Sequence, residues 1–269
     1  LKFLEGEPVK NLKTSCIAYR KASPHALLRI FCFPYAGAGA AIFRDWTRDM
    51  PGAIELCPVQ LPGRETRAME PACSRIEPLI EMLSKELTPF FDIPYVFFGY
   101  SMGALIAFEL ARSLHQRALA GPLQLFLAAR RGPRVTDRSS TAALTDKEFV
   151  EKLRIIGGTP EHILRFPELL EQMLPTLRAD FSLCESYAYS PGALLECPLS
   201  IFGGKEDTDV SREALGAWAA ETSSSCNVRL FDGGHFFMHA CRDALLQSVL
   251  KDLSMHGVFA GLPASPSFV

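Results

Sequence analysis

A serine hydroxyl is a weak nucleophile until a base takes its proton, so serine chemistry needs a histidine beside it and an acid that orients the histidine. The chain holds a serine in a setting suited to that work. Gly99-Tyr100-Ser101-Met102-Gly103 fits the pattern G-x-S-x-G. Alone the pattern is common, and its surroundings carry the signal. An apolar run at 95–98 leads into it, and a segment rich in Ala, Leu and Phe leaves it. A strand that turns sharply into a helix needs glycine beside the serine, because a side chain there would strike neighbouring backbone. The turn lifts the hydroxyl out of the sheet, and the following helix aims its positive end at the site.

On a fold with such a turn the chain order is serine, acid, histidine. Beyond Ser101 the best-placed histidine is His235, in LFDGGHFF (230–237), where a strand ends and a glycine pair permits a sharp loop. His239 is its rival. His115 lies late in a helical segment, His162 between strands, His256 near the tail and His25 before the first strand. For the acid, LSIFGGKEDTDV (199–210) is a strand running into a glycine turn, with Glu206, Asp207 and Asp209 within reach of one loop. Asp207 is favoured and Asp209 stands second, while Asp232 reads as a solvated turn residue. The carboxylate would fix the imidazole tautomer and stabilise the imidazolium. A tetrahedral intermediate also needs backbone N–H donors. One is Met102, after the nucleophile. The other is expected from FPYAGAG (33–39), whose small residues let amides approach a ligand. That loop lacks the lysine and the glycine spacing of a phosphate cradle.

These residues need a frame. Runs of strand-forming residues at 28–33, 54–60, 95–99, 123–128, 199–202 and 228–231 alternate with helix-like segments at 75–88, 102–116, 212–221 and 242–254. Such alternation predicts an α/β domain with a parallel sheet covered on both faces. Sites in such sheets lie at the carboxyl ends of the strands, where every candidate above falls. One stretch, 139–190, breaks the alternation with helical segments only. A capping box at Thr145 and Glu148 opens a helix carrying Phe149, Leu153 and Ile156, and Gly157-Gly158-Thr159-Pro160 ends it. The expected division is a core of 1–138 and 191–256, a helical lid at 139–190 and a tail at 257–269.

Composition narrows the classes. The profile, 48% hydrophobic and 22% charged, is that of an ordinary globular chain, and 28 basic against 30 acidic residues imply no pull toward nucleic acid or anionic membrane. The cluster Arg130, Arg131 and Arg134 reads as a solvated loop. No two of the eight cysteines lie closer than 13 positions, so zinc and dithiol chemistry lack their usual spacing and no metal or cofactor is expected. Reduced cysteines in a cytoplasmic protein are the economical account. The first segment has no apolar core of the kind a secretory signal carries, and no run long enough to span a membrane occurs. The first residue is Leu, which fits a trimmed chain or one cut from a longer polypeptide.

The chain resembles the type II thioesterases associated with nonribosomal peptide and polyketide synthases. The resemblance is carried by FCFPYAGAGA, by QLPGR (60–64) with Arg67, Glu70 and Pro71, by GYSMGALIAFELAR, by LRADF (177–181) with Tyr187, and by FGGKEDTDV and FDGGHFF. General lipases and esterases do not usually share the FPYAG and PGR segments. The resemblance implies an α/β-hydrolase fold with a mostly parallel sheet flanked by helices and an inserted helical lid. It implies Met102 and Ala36 as oxyanion donors and Asp207 as the acid, although Thr208 stands where such proteins often have proline. The implied activity is hydrolysis of acyl groups from the phosphopantetheine arm of an acyl or peptidyl carrier protein, for editing or release, by a monomer. Alternatives are a chain-releasing thioesterase domain cut from a megasynthase, a medium-chain fatty acyl thioesterase, a cytosolic carboxylesterase, or a carrier-binding scaffold without catalysis.

Overall fold

A computed structural model describes residues 14–135, 140–158 and 165–256. Six strands form one wholly parallel sheet: β1 (Leu28–Phe33), β2 (Ile54–Pro58), β3 (Tyr95–Tyr100), β4 (Leu125–Ala128), β5 (Leu199–Gly204) and β6 (Cys226–Phe231). Their order across the sheet is β2-β1-β3-β4-β5-β6. The helices are α1 (Trp46–Asp49), α2 (Ile76–Leu87), α3 (Met102–Gln116), α4 (Asp146–Ile156), α5 (Pro167–Glu185), α6 (Arg212–Gly216), α7 (Phe237–Ala240) and α8 (Arg242–Leu253).

Successive strand side chains point to opposite faces, and here both faces are covered. Phe31, Phe33 and Phe97 pack with Leu79 and Leu83 of α2 and with Leu105 and Phe108 of α3. Ile30, Cys32, Val96 and Phe98 pack on the other side with Trp46 of α1 and Leu245 and Val249 of α8. Hence the central strands are buried at every position and read as mainly apolar runs rather than as alternation, the exception in β1 being Arg29, which pairs with Glu55 at 2.8 Å. From β1 the chain moves one way to β2 and then the other way to β3. That reversal opens a crevice at the carboxyl ends of β1 and β3, where a ligand site is expected.

Several boundaries differ from the sequence-based ones for local reasons. The second strand stops at Pro58, because Val59 turns away into an antiparallel bridge with Ile17. The fourth begins at Leu125, after Gln124, whose buried side chain donates to Ser200 at 2.8 Å. The helix expected over 212–221 divides into α6 and a tighter 3-10 turn, Ala217–Glu221. Trp218 in that turn is anchored by an indole N–H bond of 2.8 Å to the Arg130 carbonyl. Arg134 is likewise engaged, in an ion pair of 2.7 Å with the buried Glu221.

Between β4 and β5 the described residues contain helices and no strand. Thr145 and Glu148 form the reciprocal cap at the start of α4, and Gly157 closes it with φ +80°. Phe149 and Leu153 of α4 form a small cluster with Leu177 of α5, whereas Leu183 of α5 belongs to the sheet core. The sequence readings that involve Ser139, Thr159, Pro160, His162, residues 1–13 and the tail at 257–269 lie outside the described residues. All eight cysteines are free thiols, and burial pushes Cys16, Cys32 and Cys57 well up, out of the nucleophilic range. Among the described residues no helix is long and apolar enough to cross a membrane.

Candidate active site

Ser101 follows β3 directly, with φ +53° and ψ −111°, a conformation that costs a non-glycine residue about 1–3 kcal/mol. Its N–H bonds the Ala128 carbonyl at 2.8 Å, which ties the turn to β4. The two glycines of the motif are required by close approach. A Cβ on Gly99 would lie 2.2 Å from the Gly103 carbonyl oxygen, and one on Gly103 would lie 2.0 Å from that of Phe33. Met102 opens α3, and the first N–H groups of a helix have no intrahelical acceptor.

The structure brings Ser101, His235 and Asp207 together. His235 Nε2 lies 3.1 Å from Ser101 Oγ, and His235 Nδ1 lies 2.8 Å from Asp207 Oδ2. The Asp207 side chain is 1% exposed. Its other oxygen accepts the N–H groups of Asp209 at 2.9 Å and Val210 at 3.1 Å. Burial by itself would raise the carboxyl pKa, but the hydrogen bond and charge of His235 and the two N–H donors outweigh it and hold the group below its usual value. Asp209 therefore enters through its backbone, with its side chain exposed. Asp232 is exposed and pairs with Lys205. His239 meets the Tyr35 hydroxyl at 3.1 Å and not Ser101.

The acid loop and the histidine loop grip one another. A Cβ on Gly204 would sit 2.3 Å from the Gly234 carbonyl oxygen, and Glu206 N–H donates to the Gly233 carbonyl at 3.0 Å. Sequence reasoning missed Tyr100. Its hydroxyl donates to the His235 carbonyl at 2.6 Å and accepts the Met238 N–H at 3.4 Å, joining the serine turn to the histidine loop. The available signal was a tyrosine inside a buried strand, since a buried phenol needs a partner.

On the other side of Ser101, residues 35–38 form a turn. Ala38 N–H bonds the Tyr35 carbonyl at 3.0 Å, and Gly37, third in the turn, has φ +80°, the type II geometry. Because C=O and N–H oppose each other in a trans peptide, turning the Tyr35 carbonyl inward sends the Ala36 N–H outward. That N–H has no protein acceptor among the described residues. Ala36 lines a cavity of about 540 Å³ together with Ser101, His235, Ile156 and Phe181. It also borders a second cavity of about 480 Å³, walled by Tyr35, Ile42 and Met173. No group of His, Cys, Asp and Glu among the described residues could hold a metal ion.

Comparison with known proteins adds an independent finding. The thioesterase domain family matches residues 28–254. The gramicidin S biosynthesis protein GrsT of Aneurinibacillus migulanus is 40% identical over 86% of this chain and 90% of its own. Among solved structures, the type II thioesterase BorB from the borrelidin biosynthetic cluster superposes with a TM-score of 0.83 at 32% identity, over 91% of this chain and 100% of that one. RedJ, the thioesterase of the prodiginine pathway in Streptomyces coelicolor, gives 0.81 at 32% identity, over 91% and 96%.

Proposed function

The chain belongs to the thioesterase domain family and is a hydrolase acting on thioesters, and from that premise we propose that Ser101, His235 and Asp207 release acyl groups from the phosphopantetheine arm of an acyl or peptidyl carrier protein. The observation that carries the reading is the continuous hydrogen-bonded chain from a strained serine through His235 to a buried Asp207. Relatives named for gramicidin S, borrelidin and prodiginine biosynthesis support a carrier-borne substrate.

In the reaction His235 Nε2 takes the Ser101 proton as Oγ attacks the thioester carbonyl. Asp207 accepts the Nδ1–H and stabilises the imidazolium. The N–H groups of Met102 and Ala36 receive the developing oxyanion, in a site where fixed donors need no reorganisation. Collapse of the intermediate breaks the carbon–sulfur bond, and the thiol leaves with the proton from His235. A thiol is a good leaving group, so the step asks little of the acid. Water, deprotonated by the same imidazole, then attacks the acyl-serine, and the carboxylic acid departs as Ser101 recovers its proton. The described helices of the insertion, α4 and α5, serve as a lid over the core, with Ile156 and Phe181 facing the acyl group.

The test compares acyl release from a phosphopantetheinylated carrier protein with hydrolysis of the matched oxygen ester, in wild type and Ser101→Ala. Fast thioester release that vanishes in the variant is expected. Preference for the oxygen ester would remove the carrier assignment, and undiminished activity in Ser101→Ala would remove the serine mechanism.

A further inference from the structure

We propose that Asp180 and Arg64 are positioning residues for the oxyanion hole, which makes the second inserted helix part of the reaction centre as well as a cover over it. The inference rests on the reading of Ala36 as an oxyanion donor. Asp180 stands on α5 with its side chain 2% exposed, and Arg64, from the loop after β2, is 7% exposed. The guanidinium grips both carboxylate oxygens, at 2.6 and 2.7 Å. Each partner then does something an ion pair does not need. Asp180 Oδ2 also accepts the Gly37 N–H at 2.7 Å, and Arg64 Nη1 also donates to the Ala38 carbonyl at 3.2 Å. The pair thus holds the middle peptide of the 35–38 turn, Ala36–Gly37, and the peptide by which the chain leaves the turn, Ala38–Gly39.

The middle peptide of a four-residue turn has two settings. In the one observed, the Gly37 N–H faces the carboxylate. In the type I setting the Ala36 carbonyl would turn that way, and two acceptors would face each other. The carboxylate selects the first setting. Rotation between the two is taken up at Ala36 ψ and Gly37 φ, next to the amide that carries the oxyanion donor. Glycine suits this position, because other side chains rarely adopt its φ of +80° and a Cβ there would lie 2.4 Å from Leu177 Cδ2, one turn before Asp180. A buried ion pair is poor evidence of a stability device, because apolar residues of similar volume often serve a fold as well or better. Its attachment to this turn is what an apolar pair could not reproduce.

The double variant Arg64→Met/Asp180→Leu removes both charges together, leaving no buried charge unpaired. It should fold with a Tm near wild type. Its kcat on an acyl thioester should fall about 10- to 100-fold with KM held within about threefold, in line with a displaced oxyanion donor. Affinity for a trifluoromethyl ketone analogue, which forms a tetrahedral adduct at Ser101, should fall by the same factor. Asp180→Glu keeps the charge pair but moves the carboxylate by a methylene, and should lower kcat in the same direction. Thr176→Val removes a bond of 2.7 Å from α5 to the Gly63 carbonyl without touching the turn, and should keep wild-type kcat. Wild-type kcat in either Asp180 variant, or a loss confined to KM, would overturn the inference. Ser101→Ala run in the same assay separates the two readings. Activity independent of Ser101 defeats the proposed function, whereas full kcat in the Asp180 variants with Ser101 still essential defeats only this inference.

Discussion

Two buried carboxylates flank the serine turn, and they are satisfied in opposite ways. Asp207 gives one oxygen to two backbone N–H groups and the other to an imidazole. Asp180 gives both oxygens to a guanidinium and adds a single backbone N–H. An imidazole changes charge during turnover, and a guanidinium does not. In the proposed mechanism the first carboxylate therefore faces a partner whose proton comes and goes, and its two fixed N–H donors keep it aimed throughout. The second is saturated by permanent charge and contributes through shape. The difference teaches that one residue type supplies electrostatic response in one loop and geometry in another, according to the partner it is given.

The contrast can be broken first at the histidine. His235→Ala should lower kcat by about 10⁴- to 10⁶-fold, because the base is lost outright. A smaller loss than in the Arg64/Asp180 double variant would invert the comparison. Next, Asp207→Asn should cost about 10⁴-fold through the wrong imidazole tautomer, while Asp209→Asn should stay within about threefold, since Asp209 meets Asp207 through its N–H and Arg131 through its carbonyl, both of which the variant keeps. Equal losses in steady-state assays would mean that the acid role is shared. Tyr100→Phe removes the bond to the His235 carbonyl and should lower stability by about 1 kcal/mol in denaturant titration, with a several-fold loss of kcat. The smallest effect concerns acid. A carboxyl held below its ordinary value of about 3.9 stabilises the fold fully above that pH, and its contribution fades as pH falls through the lowered value. Thermal melts between pH 5 and pH 3 should accordingly show a shallower decline in Asp207→Asn than in wild type.

Much of the candidate site was legible in the sequence because its proposed reacting groups sit on chemically marked turns. Gly99 and Gly103 around Ser101, and Gly233 and Gly234 before His235, announce tight backbone at strand ends, and the serine, acid, histidine order does the rest. The strand pattern survived because both faces of the sheet are covered, so β1, β3 and β5 read as mainly apolar runs, with Arg29 and Ser200 as buried polar exceptions. The choice between Asp207 and Asp209 needed three dimensions. Both lie on one loop, and only the direction of the side chain separates a carboxylate that meets His235 from one that faces water. Tyr100 was illegible for a related reason. Its partner, the His235 carbonyl, lies 135 positions away and is a backbone group that every residue possesses, so no choice of residue type at the far end records the contact. Asp180 has a side-chain partner in Arg64, 116 positions away, and only the fold shows that the pair also reaches the 35–38 turn.

The packing of the inserted helices has a consequence for how such a protein diversifies. Phe149 and Leu153 of α4 rest on α5, and α5 in turn is fastened to the sheet core and to the turn beside Ser101. Ile155 and Ile156 of α4 line the cavity, and Ile155 is 80% exposed. Changes at the exposed Ile155 would therefore reshape the wall that a substrate meets while Phe149 and Leu153 keep α4 seated on α5. A relative could accept a different acyl group through a side chain that faces solvent, with the residues around Ser101 left as they are.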